Sequence, residues 1–493
     1  MASERSNDDG SLAPTVVAVA LGIVFIVLVF LHVPRVNGPE YWIWRWQRRT
    51  DVAKIAIFFI LAASPALIAQ ILFRRHRALA LGLLALATAA LQLAGNAIQP
   101  ELHGVDRMRR IANDQLITSY YTVAETIVHL ERRGFTVDWL RQFDAILQRA
   151  PQHATTKPPG PIAFYVLIIR TFGDERAPVA AAIALAILSA AAVITTWAAL
   201  RTIAGNDAAF QTATLLALSP SMTVFFLYLD PIYPLLSCSL ISTWFAALER
   251  DSRRDAVAFG AVLFAATMTS YTFLVLGITL GIMTILRLRR GATLRGVTTL
   301  VLIALGTFTA AHLILWLSTG FNWLSAFRTA LAMQYRYLPL LHRPYPRTIP
   351  FDLLDFFLGS GWVPVVLAIF WLLKRREEEA QVKAVAISGL LTIVIVAGTG
   401  LIQAETARVW IFLLPLLLLP AALEMRRWPA RHRLAVAMTL IAVTVALESN
   451  MVFIEPSSPP PPPDPARALF QPRVYRTTSF LAPPRSPPSP SPS

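Results

Sequence analysis

The stretch from Gln99 to Gly173 gathers side chains able to move protons and hold phosphate. It contains Asp106, Arg107, Arg109, Arg110, Asp114, Tyr120, Tyr121, Glu125 and His129, then Arg132, Arg133, Asp138, Arg141, Asp144, Arg149, His153 and Lys157. A carboxylate can take the proton of an attacking hydroxyl, while Arg or Lys neutralises charge growing on a departing phosphate. The alternative is a solvated loop whose charges only keep it in water. Glu405 precedes Arg408 at the mouth of a later apolar segment. The guanidinium fork is shaped for phosphate, and Glu405 could hold it in place; the competing reading is an anchor that snorkels to the headgroups. His153 and Lys157 divide the same way, between a phosphate contact by Lys157 and an interfacial pair. Asp230, between two apolar stretches, reads as a turn residue.

A second polar region, Phe321 to Pro350, holds Trp323, Arg328, Tyr335, Arg336, Tyr337, His342, Arg343, Tyr345 and Arg347. Aromatic rings suit apolar sugar faces, and Arg suits a pyrophosphate or an acidic glycan. Trp and Tyr also populate membrane interfaces for no catalytic reason.

The elements that must position these residues are membrane helices. The chain has 493 residues, of which 55% are hydrophobic and 15% charged, where a soluble chain carries about 25% charged residues. Mean hydropathy is +0.55. Apolar runs long enough to cross about 30 Å of hydrocarbon recur throughout. Spans are expected at Pro14–Val33, Val52–Phe73, Ala78–Ile98, Pro178–Leu200, Ala208–Leu229, Pro231–Leu248, Ala256–Ser270, Thr272–Leu286, Val297–Leu317, Leu353–Leu373, Ala384–Ile402, Val409–Leu423 and Leu434–Phe453. The fold class is therefore an all-α polytopic membrane protein with about twelve or thirteen spans. Pro161–Phe172 is too short to span and reads as an interfacial or re-entrant helix.

Basic clusters orient the chain. Arg74–Arg77, Arg250 with Arg253 and Arg254, Arg287–Arg290, Lys374–Arg376 and Arg426–Arg433 all fall on one side, the cytoplasmic side by the positive-inside rule. The loop 34–51, with Arg35, Arg45, Arg48 and Arg49, is the exception. The N-terminus is then cytoplasmic, and the loops 99–173 and 318–350 and the Pro-rich tail 454–493 are extracytoplasmic. Between them lie the membrane segments 1–98, 174–317 and 351–453. A cell (inner) membrane is the expected location. No cleavable signal peptide is evident. The net charge of +15 is spent at span ends, which argues against a nucleic-acid partner. The single cysteine, Cys238, excludes an intrachain disulfide. There is no Cys pair, HExxH, Walker loop or dinucleotide fingerprint, so a soluble nucleotide-sugar donor has no support.

Lys157-Pro158-Pro159-Gly160-Pro161, then Phe164-Tyr165 and Phe172-Gly173, resembles the Lys/His-Pro-Pro segment of the GT-C glycosyltransferase superfamily, as found in aminoarabinose transferases and protein O-mannosyltransferases. Thr118–Ala124 is similar to the Tyr-containing segment earlier in the same family loop. Ser219-Pro220 with Leu229–Tyr233 resembles the Pro-then-Asp hairpin, and Glu405–Trp410 with Pro415 the start of a late span in bacterial members. The similarity covers about residues 100 to 420. It implies transfer from a polyprenyl-phosphate sugar to a lipid- or glycan-linked acceptor, with inversion, an aspartate base and sometimes a divalent metal (Mg or Mn). The base role falls to Asp114 or Asp106, with Glu40 a third candidate. Lys157, Arg408 and His153 would hold the donor phosphate; Tyr120, Tyr121, Arg336, Tyr337 and His342 would meet the acceptor. The family's early acidic pair is missing here, and two additional spans precede the loop. The membrane itself is a further partner. A lipid-linked glycan ligase or polymerase, a secondary transporter and a membrane scaffold recruiting partners through the Pro-rich tail are the competing readings. Spans nearly free of charge and without repeats argue against the transporter.

Overall fold

A computed structural model describes residues 2–38, 44–99, 103–114, 118–134, 138–151, 153–337, 345–374, 378–400, 402–403 and 405–453, with side chains described from Ser11 onward. The helices in chain order are α1 (Ala2–Phe30), α2 (Val52–Leu72), α3 (Arg77–Ala97), α4 (Gly104–Asn113), α5 (Tyr120–Arg132), α6 (Phe143–Arg149), α7 (Gly160–Phe172), α8 (Ala177–Ala217), α9 (Pro220–Val224) and α10 (Tyr233–Arg250). They continue with α11 (Arg253–Thr269), α12 (Gly277–Arg289), α13 (Leu294–Thr319), α14 (Trp323–Tyr337), α15 (Ile349–Ser360), α16 (Val363–Leu373), α17 (Ala380–Thr399), α18 (Thr406–Val409), α19 (Leu414–Met425) and α20 (Ala430–Asn450). Among the described residues, nine helices are long and apolar enough to cross a membrane, or ten if α15 and α16, bent by 105°, make one span. The chain is an all-α polytopic membrane protein.

The count is lower than the sequence suggests because several apolar runs are interrupted. Part of the difference is only in the counting: Gly205 (φ 82°, ψ 168°) is non-helical within the 41-residue α8, whose two arms match the runs expected to start at Pro178 and Ala208 but count as one helix. Positive φ at Gly361 and Trp362 turns the chain sharply between α15 and α16. The run expected from Val409 becomes α18, a 3₁₀ turn and α19, too short for a conventional crossing. Every residue of α19 is buried, so it is shielded from lipid by its neighbours α8, α16 and α17. Peripheral α13 is the opposite case: Leu302, Ile314 and Leu317 remain exposed, as a lipid-facing surface requires.

Contacts across the bundle sort the polar residues into two ends. At one end Glu249 meets Arg287 and Arg290 (4.0 and 3.7 Å), Lys374 meets Glu424 (2.5 Å), and Arg426 meets Glu378 (2.7 Å). This end collects the basic clusters, with α11 and α13 capped there by Ser252 and Thr293, whose hydroxyls accept from the amides of Asp255 and Gly296. At the other end the strand β1 (Trp44–Trp46) pairs antiparallel with β2 (Met451–Phe453), Trp44 opposite Phe453. That clasp joins the segment after α1 to the end of α20 and lies beside the polar cluster described next.

Candidate functional site

Lys157 is brought to its place by the residues that follow it. Pro158 and Pro159 lack amide hydrogens and fix the backbone, and Gly160 then starts α7 against the end of α11. A Cβ on Gly160 would lie 2.2 Å from the Met268 carbonyl oxygen, so only glycine permits this approach. The packing sets Lys157 beside Ser270, and its Nζ donates to Ser270 Oγ at 3.4 Å, its only hydrogen bond among the described residues. Burial pushes the Lys157 pKa down, and Arg408 adds to that, while Asp230 and Glu405 act in the opposite direction.

Arg408 comes from far along the chain. Glu405 takes a left-handed conformation (φ 50°, ψ 33°) ahead of α18, an unusual state for a side-chain-bearing residue, and its carboxylate forms an ion pair with Arg408. The turn is held by neighbours on every side. Asp355 Oδ2 accepts from the Ala407 amide at 2.9 Å and from Thr406 Oγ1 at 3.2 Å, and Asp355 Oδ1 accepts from Trp44 Nε1 at 2.6 Å. Ser221 Oγ donates to the Ala407 carbonyl at 2.5 Å, and the Thr406 hydroxyl also donates to the Asp352 carbonyl. Gly359 has no room for a side chain, since a Cβ would meet Ser221 Oγ and Ala407.

The guanidinium so presented is 6% exposed and lies over the Tyr228 ring, 4.7 Å from its centroid. Its Nε approaches Asp230 Oδ2 at 4.0 Å, beyond hydrogen-bond range, and is buried without a hydrogen-bond partner. Burial works against its charge, but Glu405 and Asp230 outweigh burial and raise the Arg408 pKa. Asp230 opens a 3₁₀ turn before α10 and is buried. Tyr120, at the start of α5, completes the group: burial first, and the Asp230 charge second, push its hydroxyl pKa up. Two cations and two carboxylates thus act on one another at the β1–β2 end of the bundle, Arg408 and Asp230 buried and Lys157 and Glu405 half-buried.

Of the residues singled out by sequence, Lys157, Arg408, Glu405 and Tyr120 converge. Tyr121 turns away: its hydroxyl donates to the Asp174 carbonyl at 3.2 Å, within a loop network where Asp174 also meets His129 (3.2 Å) and Arg132 (2.6 Å). There, burial raises the Glu125 pKa, opposed by His129. His153 is half-buried just before the 3₁₀ turn Ala154–Thr156. Asp106 is exposed on α4, 3.9 Å from Arg109. Asp114 ends α4, its carbonyl accepting the amides of Thr118 and Ser119. The carboxylates that act on Lys157 and Arg408 are Asp230 and Glu405. Arg336 is exposed and Tyr337 half-buried at the end of α14; Glu40 and His342 lie outside the described residues.

Sequence reasoning passed over Ser270, Tyr228 and Asp355, and took Asp230 for a turn residue. A signal existed for Asp355, an ionisable residue inside an apolar run, which is costly unless it has work to do. Asp230 follows an apolar stretch and precedes proline, a pattern that turns also produce. The divalent ion implied by the family resemblance does not suit this donor set. Asp230 and Glu405 already face Arg408, and among the described residues no group of three or more His, Cys, Asp or Glu could hold a metal.

No protein-family model matches the chain, and no curated protein matches it.

Proposed function

We propose that the chain is a membrane glycosyltransferase that moves a sugar from a polyprenyl-phosphate donor to a lipid- or glycan-linked acceptor, on the extracytoplasmic side of a cell membrane. One observation carries the reading: two cations from distant segments, Arg408 buried and Lys157 half-buried, have donor capacity left over. Lys157 Nζ has only a 3.4 Å hydroxyl partner, and Arg408 Nε has none. Unused charged donors in a partly desolvated setting suit an anion that arrives with a substrate. Phosphate on a lipid is such an anion, and its negative charge grows as the sugar leaves.

In this mechanism the acceptor oxygen bonds to the sugar's anomeric carbon while the bond from that carbon to the phosphate oxygen breaks, which inverts the centre. The electron pair departs with the polyprenyl phosphate, and Lys157 and Arg408 neutralise it. The acceptor proton goes to Asp230. Asp230 replaces Asp106 and Asp114 in that role because it lies beside Arg408 and acts on Lys157, whereas Asp106 is turned to solvent. Glu405 is committed to its ion pair with Arg408. Two cations also suit a diphosphate, the leaving group of a lipid-linked glycan ligase, so both donor types belong in the test.

The test is transfer of label from polyprenyl-phosphate and polyprenyl-diphosphate sugars by purified protein, with a membrane glycan extract as acceptor. Transfer from the monophosphate, lost in Lys157→Gln and Asp230→Asn, supports the reading. Transfer only from the diphosphate moves the assignment to a ligase. Binding of neither donor, with Lys157→Gln merely less stable than wild type, makes the four charges a structural ion-pair network.

A further inference from the structure

Next to the Lys157–Ser270 contact, the chain builds a second enclosed group. Tyr271 follows Ser270, and its ring lies edge-on to Phe327 and Trp323, with centroids 5.1 and 6.4 Å away. Trp323 stacks on Phe327 at 5.6 Å and leans over the His312 ring at 4.9 Å. Phe264 and Phe308 close on His312 edge-on at 4.7 and 4.6 Å. Asp144 of α6 reaches the same place: its Oδ2 accepts from the Ser325 hydroxyl, and its charge acts on the Tyr271 hydroxyl.

Five polar atoms in this nest are buried without a hydrogen-bond partner: the Tyr271 hydroxyl, Trp323 Nε1, Asp144 Oδ1 and both ring nitrogens of His312. His312 is only 9% exposed. Leaving one such atom unpaired costs about 1–3 kcal/mol, and native proteins leave few of them. Their mixture restricts the ligand. An apolar guest would leave all five unpaired, and an anion would be repelled by Asp144. A saccharide ring meets both demands: its C–H face lies on aromatic rings, and its hydroxyls donate to a carboxylate and accept from an indole N–H.

We propose that Asp144, Tyr271, Trp323 and His312 form a saccharide subsite that receives a sugar unit of the acceptor. The word acceptor rests on the glycosyl-transfer reading; the recognition of a sugar does not. The subsite is separate from Tyr120, Tyr121, Arg336, Tyr337 and His342, and through Tyr271 and Ser270 it adjoins Lys157. A sugar held there would have its neighbouring unit close to the donor phosphate.

The experiment applies the full chain in detergent to an array of immobilised mono- to tetrasaccharides. Wild type is expected to bind a subset. Asp144→Asn and Trp323→Phe should weaken that binding about tenfold or more, with unchanged unfolding temperature; Lys157→Gln should still bind the array. Should either variant fold poorly, Tyr271→Phe removes one hydroxyl alone and is expected to weaken binding in the same direction. Array binding that responds to Asp144 and Trp323, in a protein that transfers from no lipid donor, sustains the subsite and removes only its link to transfer. No saccharide binding by wild type, or equal binding by the folded variants, overturns the proposal.

Discussion

Asp355 accepts the backbone amide of Ala407 at 2.9 Å, inside the turn that carries both Glu405 and Arg408. Its other oxygen accepts from Trp44 Nε1 at 2.6 Å, so one carboxylate ties the β1–β2 clasp to the turn that presents the guanidinium. Both oxygens accept, and an asparagine would aim an NH2 at one of those donors. Asp355→Asn should therefore lose about 1–3 kcal/mol of stability. If the turn positions Arg408, donor KM should rise by more than kcat falls. Thermal unfolding and donor titrations check the two effects; a stable variant with wild-type kinetics would remove Asp355 from the account.

Gly160→Ala places a methyl 2.2 Å from the Met268 carbonyl oxygen. That atom belongs to a helix backbone and cannot yield as a side chain would. The expected loss is about 1–3 kcal/mol, and the displaced segment should separate Lys157 from Ser270. A higher donor KM together with a lower unfolding temperature is the anticipated result. Gly82→Ala, where nothing lies within 4 Å of the added methyl, should leave both quantities near wild type.

The membrane architecture was legible in the sequence because apolar length and basic flanks report directly on lipid. The break at Gly205 falls between two spans that the sequence already separates, but the turn at Gly361–Trp362, inside the run Leu353–Leu373, was not legible, since a glycine inside an apolar run marks a kink only when packing on both sides demands one. At the site, Lys157 was legible through its Pro-Pro-Gly neighbours and Arg408 through its position beside Glu405. Asp230 was hidden because an Asp-Pro step between apolar runs looks the same whether it only turns the chain or also faces a cation from a segment 178 positions later. Pairing at that separation is a property of the assembled bundle. Asp106 and Asp114 drew attention instead, as carboxylates on a long polar loop, and local composition could not show that Asp106 faces solvent.

Lys157 gives a pH prediction. Burial holds its folded pKa below the ordinary 10.5, so folding disfavours its charge. Below the folded pKa both states are protonated and the penalty is fully present; it fades as pH rises from the folded pKa to the unfolded one, and this group then contributes more to stability. The proposed phosphate binding would run the other way, because the neutral amine loses its attraction. Donor affinity should fall on an alkaline limb that begins below 10.5, and in Lys157→Arg that limb should disappear. A limb unchanged in Lys157→Arg would assign it to another group.

The central claim is that Asp230, 4.0 Å from Arg408 and within electrostatic reach of Lys157, takes the acceptor proton while the two cations hold the departing phosphate. The direct measurement is the single-turnover rate of sugar transfer from a labelled polyprenyl-phosphate donor in wild type, Asp230→Asn, Asp106→Asn and Asp114→Asn. A general base contributes about 10²–10⁴-fold, so Asp230→Asn should lose that much with donor still bound, while the other two stay within a few-fold of wild type. A wild-type rate for Asp230→Asn, with the collapse in Asp106→Asn or Asp114→Asn instead, would contradict the account.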